Sequence, residues 1–245
     1  MSLTLNCDLG ESFGSWKMGM DAAVMPFIDQ ANIACGFHAG DPLVMRKTLQ
    51  LAKEHGVTVG AHPAYPDLVG FGRRSMACQP AEIIAMVQYQ VAAIDGMAKS
   101  LGMELAYVKP HGAMYNDMMA KTEVRLAIME AIATYHRPLA LMLQATPESA
   151  AHRQEAADKG IGVMFEAFAD RAYDDQGHLV ARSQPNAVLD KDAALRQVKM
   201  MLEQGLVVSQ SGKTLSMRAD TLCVHGDNPE AIALVHAIRS LLDQT

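Results

Sequence analysis

Little in this chain marks a membrane, secreted or nucleic-acid-binding protein. Its four cysteines (Cys7, Cys35, Cys78 and Cys223) lie far apart and form no C-x-x-C pair, which fits reduced thiols better than a disulfide framework or a thiolate zinc site. No apolar run approaches the ~20 residues that span a bilayer, and the opening MSLTLNCDLGE has no signal-peptide pattern. A cytoplasmic location is the resulting expectation. Apart from the pairs Arg46-Lys47 and Arg73-Arg74, Lys and Arg are scattered singly through a chain of formal net charge −6, so no basic patch stands ready to displace phosphate counterions. Nucleotide-binding fingerprints are missing as well. There is no G-x-G-x-x-G, and Gly212-Lys213-Thr214 fails as a P-loop because Val207 stands where the first glycine is required.

What is present is an alternation. The chain has 245 residues, half of them apolar and 20% charged, enough for a sizeable core and a length that suits one α/β barrel or two small domains. Short apolar runs at Leu3 to Cys7, Gln30 to Cys35, Val57 to Ala61, Glu104 to Lys109, Leu139 to Gln144, Gly162 to Phe165 and Thr221 to Val224 read as strands. Helical periods fall between them at Pro42 to His55, Pro80 to Leu101, Thr122 to Tyr135, Pro147 to Lys159, Lys191 to Gln204 and Pro229 to Leu242, with a weaker one near Asp21 to Phe27. The series Ile83, Val87, Val91, Ile94, Ala98, Leu101 keeps one apolar face. Asp41-Pro42, Thr146-Pro147 and Asn228-Pro229 each put a capping residue before a proline at the first helical position. Arg171 to Arg182 and Leu206 to Met217 interrupt the alternation as hairpin-like excursions. No linker divides the chain, so the expectation is one domain, residues 1–245, built from seven β/α units of about 35 residues.

Seven units make either a closed barrel or an open doubly wound sheet. Polar residues collect where strands end: Asp8 and Glu11 after the first, His38, His62 and His111 after the next three, Gln144, then Glu166 and Asp170, then His225 and Asp227. A barrel would bring all of these to one face, and the barrel is the favoured reading. Four of the nine histidines occupy such ends, in GFHAGD, GAHPAYPD, KPHGAMYN and VHGDNP, whereas His55, His136, His152, His178 and His236 fall on helices, helix ends or a turn. Burying that much polarity without a use is costly. Two chemistries are open to the cluster: a divalent metal assembled from different strands, since no H-E-x-x-H or H-x-x-x-H pair exists, or metal-free general acid and base work. Lys109, two residues before His111, is placed to hold a substrate carboxylate or an oxyanion. Asp41 and Asp227 read equally as helix caps or site groups, Asp170-Arg171 as an ion pair or a clamp, and the cysteines as small buried strand residues. Gly70-Phe71-Gly72 is a candidate lid.

Six blocks, NCDLGES, DQANIACGFHAGDP, VGAHPAYPDLVGFGRR, YVKPHGAMYN, FEAFADRAY and CVHGDNP, together resemble the LamB/YcsF family, in order from Asn6 to Pro229. The resemblance implies a seven-stranded (β/α) barrel of the glycoside hydrolase/deacetylase type. It also implies work beside two further subunits, of B and C type, in an ATP-consuming 5-oxoprolinase that opens 5-oxo-L-proline to L-glutamate. Position by position it points to Asp8, Glu11, His38, His62, Lys109, His111, Glu166 and His225. With no nucleotide motif in the chain, ATP use is expected to lie with the partners. Two other functions compete, a stand-alone metal-dependent deacetylase or amidohydrolase and a non-catalytic component that binds a small acid.

Overall fold

Seven short parallel strands close into a ring in the computed structural model, which describes residues 3–226 and 228–244. The elements run β1 (Thr4–Leu9), α1 (Asp21–Val24, continued by a 3-10 turn at Met25–Phe27), β2 (Gln30–Ala34), α2 (Pro42–His55), β3 (Thr58–His62), α3 (Pro80–Ser100) and β4 (Leu105–Val108). They continue with α4 (Gly112–Ala120), α5 (Thr122–Ala133), β5 (Ala140–Gln144), α6 (Ser149–Asp158), β6 (Gly162–Phe168) and α7 (Lys191–Gln204). A two-stranded antiparallel ribbon, β7 (Leu206–Val208) and β8 (Thr214–Ser216), precedes β9 (Thr221–Val224) and α8 (Pro229–Leu242). The ring order is β1–β2–β3–β4–β5–β6–β9, and β9 returns to pair with β1. Among the described residues no helix is long and apolar enough to cross a membrane.

The local chemistry explains these elements. Every residue of β2 and β9 is buried, as expected of parallel strands covered on both faces. The α3 series Ile83, Val87, Val91, Ile94 and Ala98 is buried, while Leu101 falls just past the helix end. Asp41 and Asn228 cap α2 and α8 through their side chains. Thr146 acts earlier than the sequence pattern implies. Its hydroxyl accepts from Glu148 N–H at 3.2 Å, so a turn intervenes and α6 starts at Ser149.

Two departures from the sequence reading matter for the site. Strands β1, β3 and β6 run on past the apolar runs to include Asp8, His62 and Glu166, because pairings such as Asp8 with Asn32 and Glu166 with Gln144 extend the ladders. Their polar side chains are accommodated by a polar barrel interior. Helix α4 was hidden from periodicity because it starts at a glycine of φ +54 and His111 gives it no side-chain cap.

The interior below the mouth is a hydrogen-bonded floor. Asn32 Nδ2 donates to Asn6 Oδ1 and to Asp8 Oδ1, both at 2.8 Å, and Tyr107 Oη donates to Asn32 Oδ1 at 2.7 Å. Asn6 Nδ2 reaches Thr221 Oγ1 at 3.1 Å. A register shift between β3 and β4 sets Tyr107 opposite Gly60, and a Cβ at Gly60 would fall within the Tyr107 ring. Gly60 is therefore the residue that lets a tyrosine fill the barrel. Gly60→Ala is expected to destabilise the protein by roughly 1–3 kcal/mol through overpacking. Gly96→Ala, on an exposed helical position with open space around it, should stabilise by roughly 0.5–1 kcal/mol. Urea unfolding measures both, and an unchanged midpoint for Gly60→Ala would show that the ring moves aside freely.

Candidate active site

The strand ends carry two adjoining polar groups. The first is charged and centred on Lys109, which leaves β4 pointing into the barrel. Its Nζ lies 3.0 Å from Asp8 Oδ1 and 2.9 Å from Glu166 Oε2, and donates to Asn6 Oδ1 at 3.2 Å. Lys109 and Glu166 are fully enclosed, and Asp8 is the member open to the mouth, its side chain 22% exposed. Burial would push Asp8 up, but His62 and Lys109 outweigh it and hold the carboxyl well below its ordinary range. Burial likewise works against the Lys109 charge, and Asp8, Cys223 and Glu166 overcome it, so the ammonium stays charged. Glu166 Oε1 and Tyr115 Oη are buried without a well-directed hydrogen bond.

The second group is the histidine cluster. His62 Nδ1 faces the Lys109 carbonyl at 2.6 Å, and His111 Nε2 faces the Phe71 carbonyl at 2.9 Å. A carbonyl only accepts, so each of those nitrogens carries a proton. In the neutral rings the other nitrogens, His62 Nε2 and His111 Nδ1, are then bare, and they face one another at 3.0 Å. Two lone pairs at that distance require a positive charge between them, a proton or a cation. Asp8 Oδ2 lies 3.4 Å from His62 Nε2, and Glu11 Oε1 lies 3.4 Å from His111 Nδ1 and 3.0 Å from His38 Nε2. His38 stacks on His111 with centroids 3.7 Å apart, leaving its buried Nδ1 without a partner. Donor atoms of Glu11, His38, His62 and His111 all fall within 4.8 Å of one another.

The two exchangeable histidines are driven apart. His62 is raised, since Asp8 overcomes the burial that would lower it. Burial, then His38 and His62, push His111 down to about 3. His38 is lowered by burial first and His62 second. A divided pair of this kind is what acid and base roles need.

The segment after β3 closes one side. Phe71, at φ +54, turns its ring edge-on to both His38 and His111. Gly72, at φ +64, has no room for a side chain, since a Cβ would stand 2.8 Å from both His111 Cδ2 and His38 Cβ. Asp67 pairs with Arg74 across the base of this turn, while Tyr65 Oη and Ser75 Oγ both donate to Asp117 of α4. The expected lid is thus a wall seated on the histidines.

His225 stands on the other side of the mouth, after β9. It donates Nδ1–H to Asp170 Oδ2 at 2.9 Å and accepts at Nε2 from Arg182 at 3.0 Å. Asp170 therefore pairs with His225 rather than with Arg171, whose guanidinium is spent on the Val180 and Ala187 carbonyls. Asp41 caps α2 and ties down the β1 loop by accepting from Gly14 N–H at 2.7 Å. Cys7, Cys35 and Cys223 are buried. Asp227 lies outside the described residues. The sequence reading missed Asn6, Asn32, Tyr107 and Tyr115. The Asn6-Cys7-Asp8 alternation was a usable signal for Asn6, since residues two apart on a strand share a face.

In metal-free protein His111 dictates a pH trend. The folded state keeps this imidazole neutral down to about pH 3, while the unfolded chain takes up the proton near 6.5. Stability is therefore lost as pH falls through that window, by about 1.4 kcal/mol per pH unit for one group. His111→Gln should remove about one proton from the slope between pH 6 and 4, measured by urea unfolding at each pH. An unchanged slope would mean His111 is already charged in the folded state.

Known proteins share both the sequence blocks and the barrel. The profile of the LamB/YcsF family matches residues 3–245. The second 5-oxoprolinase A component of Pseudomonas putida is 55% identical over 242 residues, covering 98% of this chain and 94% of the relative. The 5-oxoprolinase A component of Chromohalobacter salexigens is 53% identical over 240 residues, 98% of this chain and 96% of the relative. Among solved structures, a lactam utilization protein from Thermus thermophilus superposes with a TM-score of 0.92 at 41% identity, covering 100% of this chain and 97% of that one.

Proposed function

The chain belongs to the LamB/YcsF family, and from that premise we propose that it is the A component of an ATP-dependent 5-oxoprolinase. It hydrolyses the ring amide of 5-oxo-L-proline to give L-glutamate, as one barrel unit acting with partner subunits of B and C type that consume the ATP. Relatives named as the A component of 5-oxoprolinase, at 53–55% identity over 98% of the chain, support the reaction class. The single geometric observation that carries it is the contact of Asp8 with both Lys109 and His62, which joins a fixed positive charge to an acid–base pair.

The residues divide the work as follows. When substrate and water enter between the two rings the His62–His111 hydrogen bond opens, and His111 Nδ1 takes a proton from water while Glu11 and the stacked His38 hold its ring. The water oxygen adds to the ring carbonyl carbon, and the negative charge that develops on the carbonyl oxygen is offset by the Lys109 field. The carbon–nitrogen bond then breaks. His62, kept protonated by Asp8, gives its Nε2 proton to the departing nitrogen, which leaves as the amine of glutamate. Glu166 holds Lys109 from behind, and His225 borders the opposite wall.

With all three components reconstituted, Asp8→Asn and His111→Ala should each lower glutamate release by about 10²–10⁴-fold, and omission of this chain should abolish it. Release by this chain alone would favour a stand-alone amidohydrolase. Near-normal turnover in both variants would favour a component that only binds.

A second reading rests on the facing lone pairs of His62 and His111. A carboxylate and three imidazoles are a fitting donor set, so Glu11, His38, His62 and His111 would hold a divalent cation. When bound, such an ion polarises a carbonyl and makes water more acidic. Zn²⁺ or Mn²⁺ should then raise the melting temperature saturably, and His38→Ala should erase that rise. A melting temperature indifferent to metal leaves the proton-sharing arrangement.

A further inference from the structure

A substrate that is both a lactam and a carboxylic acid presents this pocket with an electrostatic problem. Asp8, Glu11, Glu166 and Asp170 all sit at the strand ends, and a further carboxylate entering among them is repelled unless a cation receives it. Lys109 cannot receive it directly. It is enclosed and already bridges Asp8 and Glu166 at 3.0 and 2.9 Å. Arg171 is buried and donates to the Val180 and Ala187 carbonyls at 2.6 and 3.3 Å.

Arg182 differs from both. It lies on the excursion between β6 and α7 that Arg171 pins to the barrel, and its one hydrogen bond among the described residues goes to His225 Nε2 at 3.0 Å. It forms no ion pair among them. It is exposed at the mouth, so its remaining N–H donors can meet an incoming ligand. His225 behind it is held by Asp170, whose Oδ1 is buried without a partner.

We propose that Arg182, backed by His225, is the subsite that takes the carboxylate of the cyclic amide acid and so sets the pocket's specificity. This rests on the reading of the chain as a 5-oxoprolinase component. The planar guanidinium offers paired donors that match a carboxylate, which a lysine point charge does not. Seated there, the carboxylate stays at the mouth, onto which Asp8 opens, and clear of the enclosed Glu166. His225 donates Nδ1–H to Asp170 and accepts from Arg182 at Nε2, so both ring nitrogens serve to hold the guanidinium in place. The other candidate cation, Arg73, has its guanidinium carbon 5.2 Å from the Phe71 ring centroid, on the histidine side.

The test uses the reconstituted three-component complex with Arg182→Met, Arg182→Lys and Arg73→Met. Arg182→Met is expected to raise KM for 5-oxoproline roughly 10- to 100-fold, with kcat changed only a few-fold, as befits loss of a charge-assisted contact to a group remote from the reacting bond. Arg182→Lys should recover part of that loss, and Arg73→Met should leave KM for 5-oxoproline unchanged. Calorimetry on the isolated chain supplies the second arm, comparing 5-oxoproline with 2-pyrrolidone, the same ring without a carboxylate, and with inorganic phosphate. Wild type should prefer 5-oxoproline, and Arg182→Met should lose that preference.

An unchanged KM and preference in Arg182→Met, an effect confined to Arg73→Met, or tighter binding of phosphate than of 5-oxoproline at Arg182 would each overturn the subsite. A wild-type complex that turns over no 5-oxoproline would instead remove the functional reading, while an Arg182-dependent preference in the calorimetric arm would keep the carboxylate subsite.

Discussion

A single buried ammonium governs the layout of this barrel mouth. Lys109 Nζ contacts Asp8 of β1 and Glu166 of β6 from a position just past β4, so three strands spread around the ring meet at one charge. Each contact near 3 Å is worth roughly 5 kcal/mol of gross attraction at an effective dielectric of 20. Desolvation costs several kcal/mol per ion, so the net stability is small. The geometric effect is larger. Removing one partner of such a buried set leaves an uncompensated charge at a cost of about 3–5 kcal/mol, so each member fixes the others in place and in charge state.

That constraint passes outward through hydrogen bonds. Asn6 and Asn32 bind Asp8 and Lys109 from below, and Tyr107, admitted by the missing side chain of Gly60, holds Asn32. Asp8 in turn keeps His62 charged, and the positive neighbour helps to keep His111 neutral. The division into one protonated and one bare imidazole therefore originates in Asp8 beside His62, which overcomes burial and Lys109 there, and in burial and the neighbouring imidazoles at His111.

The mouth has two unlike walls. Along the β1–β4 side, Glu11, His38, His62 and His111 are packed under Phe71 and Gly72, where a turn with left-handed backbone leaves no room for a side chain at position 72 and orients His111 through the Phe71 carbonyl. Along the β6–β9 side, Asp170, His225 and Arg182 form a looser chain that ends in an exposed guanidinium. In the proposed function the first wall moves protons and the second meets the substrate anion.

Much of this was legible in the sequence because it is written in local patterns. Helices α2, α7 and α8 and strand β9 follow from their apolar runs and caps to the residue, and the six blocks carry the family. The polarity of Asp8, His38, His62, His111 and His225 at strand ends pointed to one shared polar face, and the closed ring brings these groups to its mouth. Tertiary structure alone decided the rest. Helix α4 lacks the cap and period that signal a helix, and it forms because its first turn donates to the Gly72 carbonyl through Ala113 N–H at 2.8 Å. The partnership of Asp170 with His225 instead of Arg171 depends on β6 and β9 being neighbours, and no sequence spacing reveals that. Which ring nitrogen carries the proton depends on carbonyls brought from Lys109 and Phe71, and which ring is charged depends on Asp8 and burial. Local pattern determines which residues can face inward, but a proton's place is set by the atoms it meets there, and only the closed ring brings those atoms together.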